Sequence, residues 1–192
     1  MSLSSNDVKT LTSEEEPIIL DPICDTKSGG VLYLTFAPGK KQESIKYGGI
    51  NWDRCLDTDL RKIKHEHGID HIVCLLEDHE FSSLQIHDYL DRVKRWGMDV
   101  THYPIRDKDI PSCMDQFHKV VNNLYSLLHK GKNIVIHCAG GVGRSGTLAT
   151  GILCKSGYNP IEAIKLVQER RLNSIKRPCQ QHFVCRYSYY YC

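Results

Sequence analysis

Two rhythms of apolar positions alternate along the chain. Val31-Leu32-Tyr33-Leu34-Thr35-Phe36, Asp70 to Leu76, Met98 to Ile105 and Asn133-Ile134-Val135-Ile136 are short apolar runs bounded by turn residues, the strand signature. Between them the apolar positions recur every three or four residues, which places them on one side of a helix. Leu56, Leu60 and Ile63 predict a helix over Asp53 to His67 with Gly68 as its stop. Leu84, Ile86, Tyr89, Leu90 and Val93 predict one running from a cap at Ser82 or Ser83 to Trp96, ended by Gly97. Phe117, Val120, Val121, Leu124, Leu127 and Leu128 mark a third from Ser112 to Gly131, and Thr147 to Lys155 a fourth. Asn159-Pro160-Ile161-Glu162 opens a fifth with a cap, a first-turn proline and a third-position acid, and Gln180 to Tyr190 forms a last one. Nearer the start, Ile18-Ile19-Leu20 reads as a strand, and the glycine pairs Gly29-Gly30 and Gly48-Gly49 break the chain. Strands alternating with helices predict an α/β fold with a central, mainly parallel sheet flanked by helices on both faces. Residues 1–17, rich in Ser and Thr and carrying Glu14-Glu15-Glu16, are expected as a flexible tail before one domain over 18–192.

Composition narrows the field. The 192 residues suit one domain, and 41% hydrophobic with 25% charged residues is globular usage. A net charge of +2 gives no reason to invoke nucleic acid or a membrane surface, and no apolar run is long enough to span a bilayer. The nine cysteines are odd in number and irregularly spaced, with Cys74, Cys138 and Cys154 inside apolar runs. Free thiols in a reducing compartment are therefore expected, with a cytoplasmic and also a nuclear location. No Cys/His spacing suggests a metal, His65 and His67 do not share a helix face, and no cofactor is expected.

The chemistry concentrates in His137-Cys138-Ala139-Gly140-Gly141-Val142-Gly143-Arg144-Ser145-Gly146, a Gly-rich link between a strand and a helix. Such a link collects backbone N–H groups and a helix N-terminus, a ready anion site. Gly141-Val142-Gly143-Arg144-Ser145-Gly146 also spells the dinucleotide fingerprint GxGxxG, with Glu162 about 20 residues on. A dinucleotide fold fails here because Glu162 sits in the first turn of a helix and too little chain follows. A tight packing turn with an idle buried thiol would explain the glycines, but not the cysteine, arginine and hydroxyl at this spacing. Those residue types together serve phosphate-ester cleavage through a phospho-cysteine. A thiolate is activated by neighbouring cations and a helix N-terminus. The amides from Ala139 to Arg144 face three phosphoryl oxygens, and Arg144 offers a planar fork to two of them. Ser145 can donate to the Cys138 sulfur as it leaves, and His137 is placed to orient the loop from beneath.

His-Cys-x5-Arg-Ser resembles the signature of the cysteine-based protein tyrosine phosphatases, and the short chain resembles their dual-specificity branch. Tyr103-Pro104-Ile105-Arg106-Asp107 lies where that family keeps its general-acid loop. Ala37-Pro38-Gly39-Lys40-Lys41 and Ser174-Ile175 to Gln180 are similar to the cyclin-dependent-kinase-associated phosphatases, and the resemblance spans about residues 31–190. It implies Cys138 as nucleophile, Arg144 as phosphate ligand, and Asp107 as the acid that protonates the leaving oxygen, with Asp109 as competitor or loop support. It further implies that Gln180 helps place the hydrolytic water and that Arg171 supports the loop. Cys74 would be either a packed strand thiol or a resolving partner for Cys138. The paired cations Lys40-Lys41 and Arg61-Lys62 are expected on solvated faces, and Phe183, Tyr187 and Tyr190 in the core.

The phosphate loop Ala139, Gly140, Gly141, Val142, Gly143 carries no added charge, which favours a phosphoprotein over a multiply charged lipid headgroup. The resemblance implies phosphotyrosine together with phosphoserine or phosphothreonine as substrate, a protein kinase such as a cyclin-dependent kinase as partner, and a monomer. A phosphoinositide phosphatase with the same chemistry and a catalytically weak phosphoprotein-binding module remain the alternatives.

Overall fold

The computed structural model describes residues 9–43 and 50–192. The strands among them are β1 (Thr10–Leu11), β2 (Asp21–Asp25), β3 (Val31–Thr35), β4 (Lys41–Gln42), β5 (Asn51–Asp53), β6 (His71–Cys74), β7 (Asp99–His102) and β8 (Ile134–His137). The helices are α1 (Leu56–His65), α2 (Asp78–Ser83), α3 (Tyr89–Arg95), α4 (Met114–His129), α5 (Gly143–Lys155), α6 (Pro160–Arg170) and α7 (Pro178–Tyr191). A five-stranded sheet of order β2-β3-β8-β6-β7 forms the centre. All its neighbours are parallel except the β2–β3 hairpin.

Every residue of β6 and β8 is buried, as expected of central strands covered on both sides, and this is why both read as unbroken apolar runs. The pleat sends alternate residues into separate cores. Val73, Leu75, Ile134 and Ile136 join Phe117, Val121, Leu148, Ile152 and Val184 from α4, α5 and α7. Ile72, Cys74, Leu76 and Val135 join Leu60, Ile63, Tyr89 and Val93 from α1 and α3. Each fully buried Leu or Ile contributes roughly 1.5–3 kcal/mol. Helix α5 is buried from Arg144 through Cys154. Its small residues permit this: a Cβ on Gly151 would meet the Phe117 ring at 2.7 Å.

Several sequence expectations change. Ile18–Leu20 is not a strand; β2 follows it at Asp21–Asp25, where only Ile23 is buried. As an edge strand, β2 tolerates Pro22 and needs little apolar content. The helix expected from Ser82 or Ser83 to Trp96 is two helices, α2 and α3, parted at Gln85, whose φ of +56° belongs to the left-handed region. Helix α5 begins at Gly143, so Arg144 and Ser145 lie in its first turn.

Residues 9–17, expected within the flexible tail, are built into the fold. Strand β1 runs parallel to β5, which pairs with β4 in a small three-stranded sheet. Leu11 and Ser13 are buried, the Cys55 N–H donates to Ser13 Oγ at 3.0 Å, and Arg54 Nη1 donates to the Glu16 carbonyl at 2.7 Å. The tail's first eight residues and the Gly48-Gly49 break lie outside the described residues. All nine cysteines are free thiols. No helix among the described residues is long and apolar enough to cross a membrane.

Candidate active site

Strand β8 ends at His137 and the chain turns through 138–142 into α5. Gly141 makes the turn at φ +69°, and a Cβ there would lie 2.1 Å from the Thr35 carbonyl oxygen, so no other residue fits. Four successive carbonyls of this loop are bonded outward. Ala139 O accepts from the Ala37 N–H at 3.2 Å and Val142 O from the Ile175 N–H at 3.2 Å. Gly140 O accepts from Arg171 Nη2 at 3.2 Å and Gly141 O from Arg171 Nε. In a trans peptide the N–H points opposite to the carbonyl before it, so the amides of residues 140–143 are turned to the other side, toward the cysteine. The Gly141 N–H donates to Cys138 Sγ at 3.2 Å, and Ser145 Oγ lies 3.7 Å from the same sulfur. The thiol therefore sits at the focus of backbone donors and the N-terminus of α5.

Arg144 is clamped on three sides. Glu80 of α2 receives Nη1 on Oε2 at 2.5 Å and Nη2 on Oε1 at 2.8 Å. Nη1 also donates to the Ile105 carbonyl at 3.0 Å, and Nη2 lies 3.1 Å from Asp107 Oδ1. Nε is buried without a partner among the described residues, leaving it for an incoming oxygen. Burial pushes Glu80 up, but the hydrogen bonds from Arg144 and the Glu77 backbone outweigh it and hold its carboxyl below the usual range. Burial likewise works against the Arg144 cation, and Glu80 with the neighbouring Cys138 and Asp107 more than restores it.

Asp107 and Asp109 part ways. The Asp107 carboxylate is more than half exposed and reaches Arg144, whereas Asp109 Oδ1 accepts from the Ile110 N–H of its own loop at 2.8 Å. The Asp109 carbonyl accepts from Gln180 Nε2 at 3.1 Å, and Gln180 is buried against Gly143. His137 is wholly buried, its ring edge-on to Tyr89 at 5.1 Å and its Nδ1 3.4 Å from the Cys138 carbonyl. Burial pushes its pKa down to about 3, so it supports the loop as a neutral ring. Cys74 is paired in register with His137, and burial pushes its thiol up to about 12.

Lys40 departs from its expected solvated place. It is 7% exposed, with its ammonium 4.8 Å from the Phe36 ring and 4.7 Å from Trp52. Burial, then Arg54, bring its pKa down to about 8, while Cys138 pulls it up.

Reasoning from the sequence missed Glu80, Glu77, and Asp21, the carboxylate that holds Arg171 Nη1. Glu77 and Glu80 carried one signal: an acidic pair three apart, just past an apolar strand, is a capping box. Asp21 carried none, because its partner is 150 positions away.

Residues 51–158 match a family model described as "Tc-R-P: Polymorphic toxin system, DSP-PTPase phosphatase". The chain is 27% identical over 173 residues to the Mus musculus protein "Cyclin-dependent kinase inhibitor 3", covering 87% of this chain and 76% of that one. A solved kinase associated phosphatase, its catalytic-site cysteine substituted by serine, superposes with a TM-score of 0.78 at 23% identity, covering 88% of this chain and 93% of the other. PTPMT1 in complex with PI(5)P superposes at 0.66 with 18% identity, covering 82% and 90%.

Proposed function

Since the chain belongs to the DSP-PTPase phosphatase family whose model it matches over more than half its length, we propose that it hydrolyses phosphotyrosine and phosphoserine or phosphothreonine in proteins through a phospho-cysteine. The observation that carries this reading is a thiol that takes the Gly141 N–H and lies beside Ser145 Oγ, in a loop whose arginine, Arg144, pairs with Asp107. Cys138 thiolate attacks phosphorus while the P–O bond to the leaving group breaks. Asp107 gives its proton to the departing oxygen, a contribution of about 10²–10⁴-fold. Arg144 and the amides of 140–143 hold the equatorial oxygens as charge builds on them. In the second step water attacks phosphorus, Asp107 takes its proton, the P–S bond breaks, and Ser145 Oγ donates to the sulfur that leaves. Gln180, anchored on the acid loop, is the side chain next to that water.

A protein kinase is the proposed substrate-bearing partner, in keeping with the names of the mouse relative and the kinase associated phosphatase. The neutral side chains of loop 139–143 favour a peptide over a polyphosphorylated headgroup. The proposed setting is the cytoplasm or nucleus, where Cys138 stays reduced. Cys74 is buried with its thiol pushed up, which favours a packed strand thiol over a resolving partner; a Cys74–Cys138 link on mild peroxide and peptide mapping would reverse that reading. For the main reading, Cys138→Ser should lower turnover of an aryl phosphate and of phosphopeptides by about 10⁴-fold or more. Equal rates in the two proteins would refute it, and a preference for phosphoinositides in a substrate panel would move the activity to lipid.

A further inference from the structure

Asp107 has two tethers, one through its carboxylate and one through its backbone N–H. Its carboxylate contacts Arg144 Nη2 at 3.1 Å, the guanidinium that a phosphate must claim. Its backbone N–H donates to Glu77 Oε2 at 3.2 Å, and the Glu77 carboxylate also caps α2 by accepting the Glu80 backbone N–H. The Glu77 N–H in turn donates to Glu80 Oε2 at 2.8 Å, and Glu80 grips Arg144. The acid loop, the start of α2 and the phosphate-binding arginine are thus joined in a ring of charge-assisted contacts. Around Asp107 the backbone is bent: Lys108 has φ +62°, and the Asp109 N–H returns to the Arg106 carbonyl at 3.1 Å. A non-glycine residue in that region persists only where its surroundings hold it.

We propose that Glu77 is a positioning residue for the reaction, holding Asp107 over the pocket through its backbone N–H once the phosphate has taken Arg144. This rests on the reading of Asp107 as general acid. When Arg144 turns to the phosphate, the Asp107 carboxyl is released from its ion pair and is free to carry a proton to the leaving oxygen. The loop stays in place because its second tether is made to the N-terminus of α2 by a backbone N–H, and not by the carboxylate that Arg144 releases.

The test is the leaving-group dependence of the first step in the full-length protein. Phenyl phosphate needs the acid, whereas 2,4-dinitrophenyl phosphate departs without a proton. Glu77→Ala should lower kcat/KM on phenyl phosphate by about tenfold, a fraction of the full general-acid effect, and spare the dinitrophenyl ester. Glu77→Gln keeps an acceptor oxygen and should restore most of the phenyl phosphate rate. A parallel loss on both esters marks a merely structural role and overturns the proposal, as does an unchanged rate on both or a Gln variant no better than Ala. Asp107→Asn, run alongside, should show the same selective loss in larger measure. If it does not, the general-acid assignment itself falls, separately from the Glu77 result.

Discussion

On the side of the sheet covered by α4–α7, Phe117, Val121, Leu124, Ile152, Val167 and Val184 pack together, and beyond the first turn of α5 its buried hydroxyls serve that helix: Thr147 Oγ1 and Thr150 Oγ1 return to its own carbonyls. On the side of α1–α3 the same kind of aliphatic packing encloses charge. Arg54 and Asp59 form a fully buried bidentate pair, Glu80 holds Arg144, and His137 lies neutral against Tyr89. The first side supports α5 by volume. The second holds the groups that aim at the pocket, and it does so with pairs whose desolvation consumes most of their attraction. Such pairs add little net stability while intact and a large penalty when one partner is removed.

The largest expected effect separates the two sides. Phe117→Ala and Glu80→Ala should each cost about 3–5 kcal/mol, the first by leaving a cavity and the second by leaving a buried guanidinium without its carboxylate. Denaturant titration would rank them as equals. Turnover per folded molecule would not, because Phe117→Ala leaves the ring of Glu80, Arg144 and Asp107 in place, whereas Glu80→Ala releases Arg144. Matching kcat/KM values in the two variants would erase the distinction between the faces.

A smaller effect sharpens the same contrast through pH. Burial disfavours the His137 cation and pushes its pKa down from the ordinary 6.5 to about 3 in the folded chain. Between about 3 and 6.5 the unfolded chain binds the proton that the folded chain refuses, so stability falls as pH drops through that window, by up to about 1.4 kcal/mol per unit from this group. Above the unfolded value the contribution is fully present. The slope should persist in Phe117→Ala and be shallower in His137→Gln, where His67, His71 and His118, also lowered by burial, still contribute, measured as denaturation midpoints at a series of pH values. An identical slope in all three proteins would mean that the buried ring is not its source.

The same division governs how much was legible in advance. Apolar period located α1, α4 and the four parallel strands, because each repeats a local pattern that packing then rewards, and the Asn159-Pro160-Ile161-Glu162 start signal located α6. The loop at Cys138 was legible for a different reason: its nucleophile, glycines and arginine must be consecutive, so the chemistry is written locally. Glu80, Asp21 and Lys40 gain their roles only when distant segments meet, and each looks like an ordinary surface charge in sequence. Strand β2 hid because an edge needs few apolar residues, and the α2–α3 break hid because Leu84 and Ile86, on either side of Gln85, are both buried and keep the apolar rhythm running through it. The ordering of residues 9–17 depends on Arg54 and Cys55, more than 35 positions away, which no tail composition can announce.

The smallest effect lies wholly on the packing side and serves as its control. Asn159 caps α6, its Oδ1 accepting the Ile161 N–H at 2.9 Å, with Pro160 in the first turn. Asn159→Ala leaves that N–H to water and should cost about 1 kcal/mol. Helix α6 bears on the site from its far end, through Arg171, its C-terminal cap residue, which holds the Gly140 and Gly141 carbonyls, and through Gln168, which bonds the Ser174 carbonyl. A loss confined to the first turn of α6 should therefore lower the denaturation midpoint slightly and leave kcat/KM unchanged. A fall in kcat/KM with Asn159→Ala would show that the α6 packing and the phosphate loop are coupled along the helix, and that the two sides of the sheet are less separable than their contents suggest.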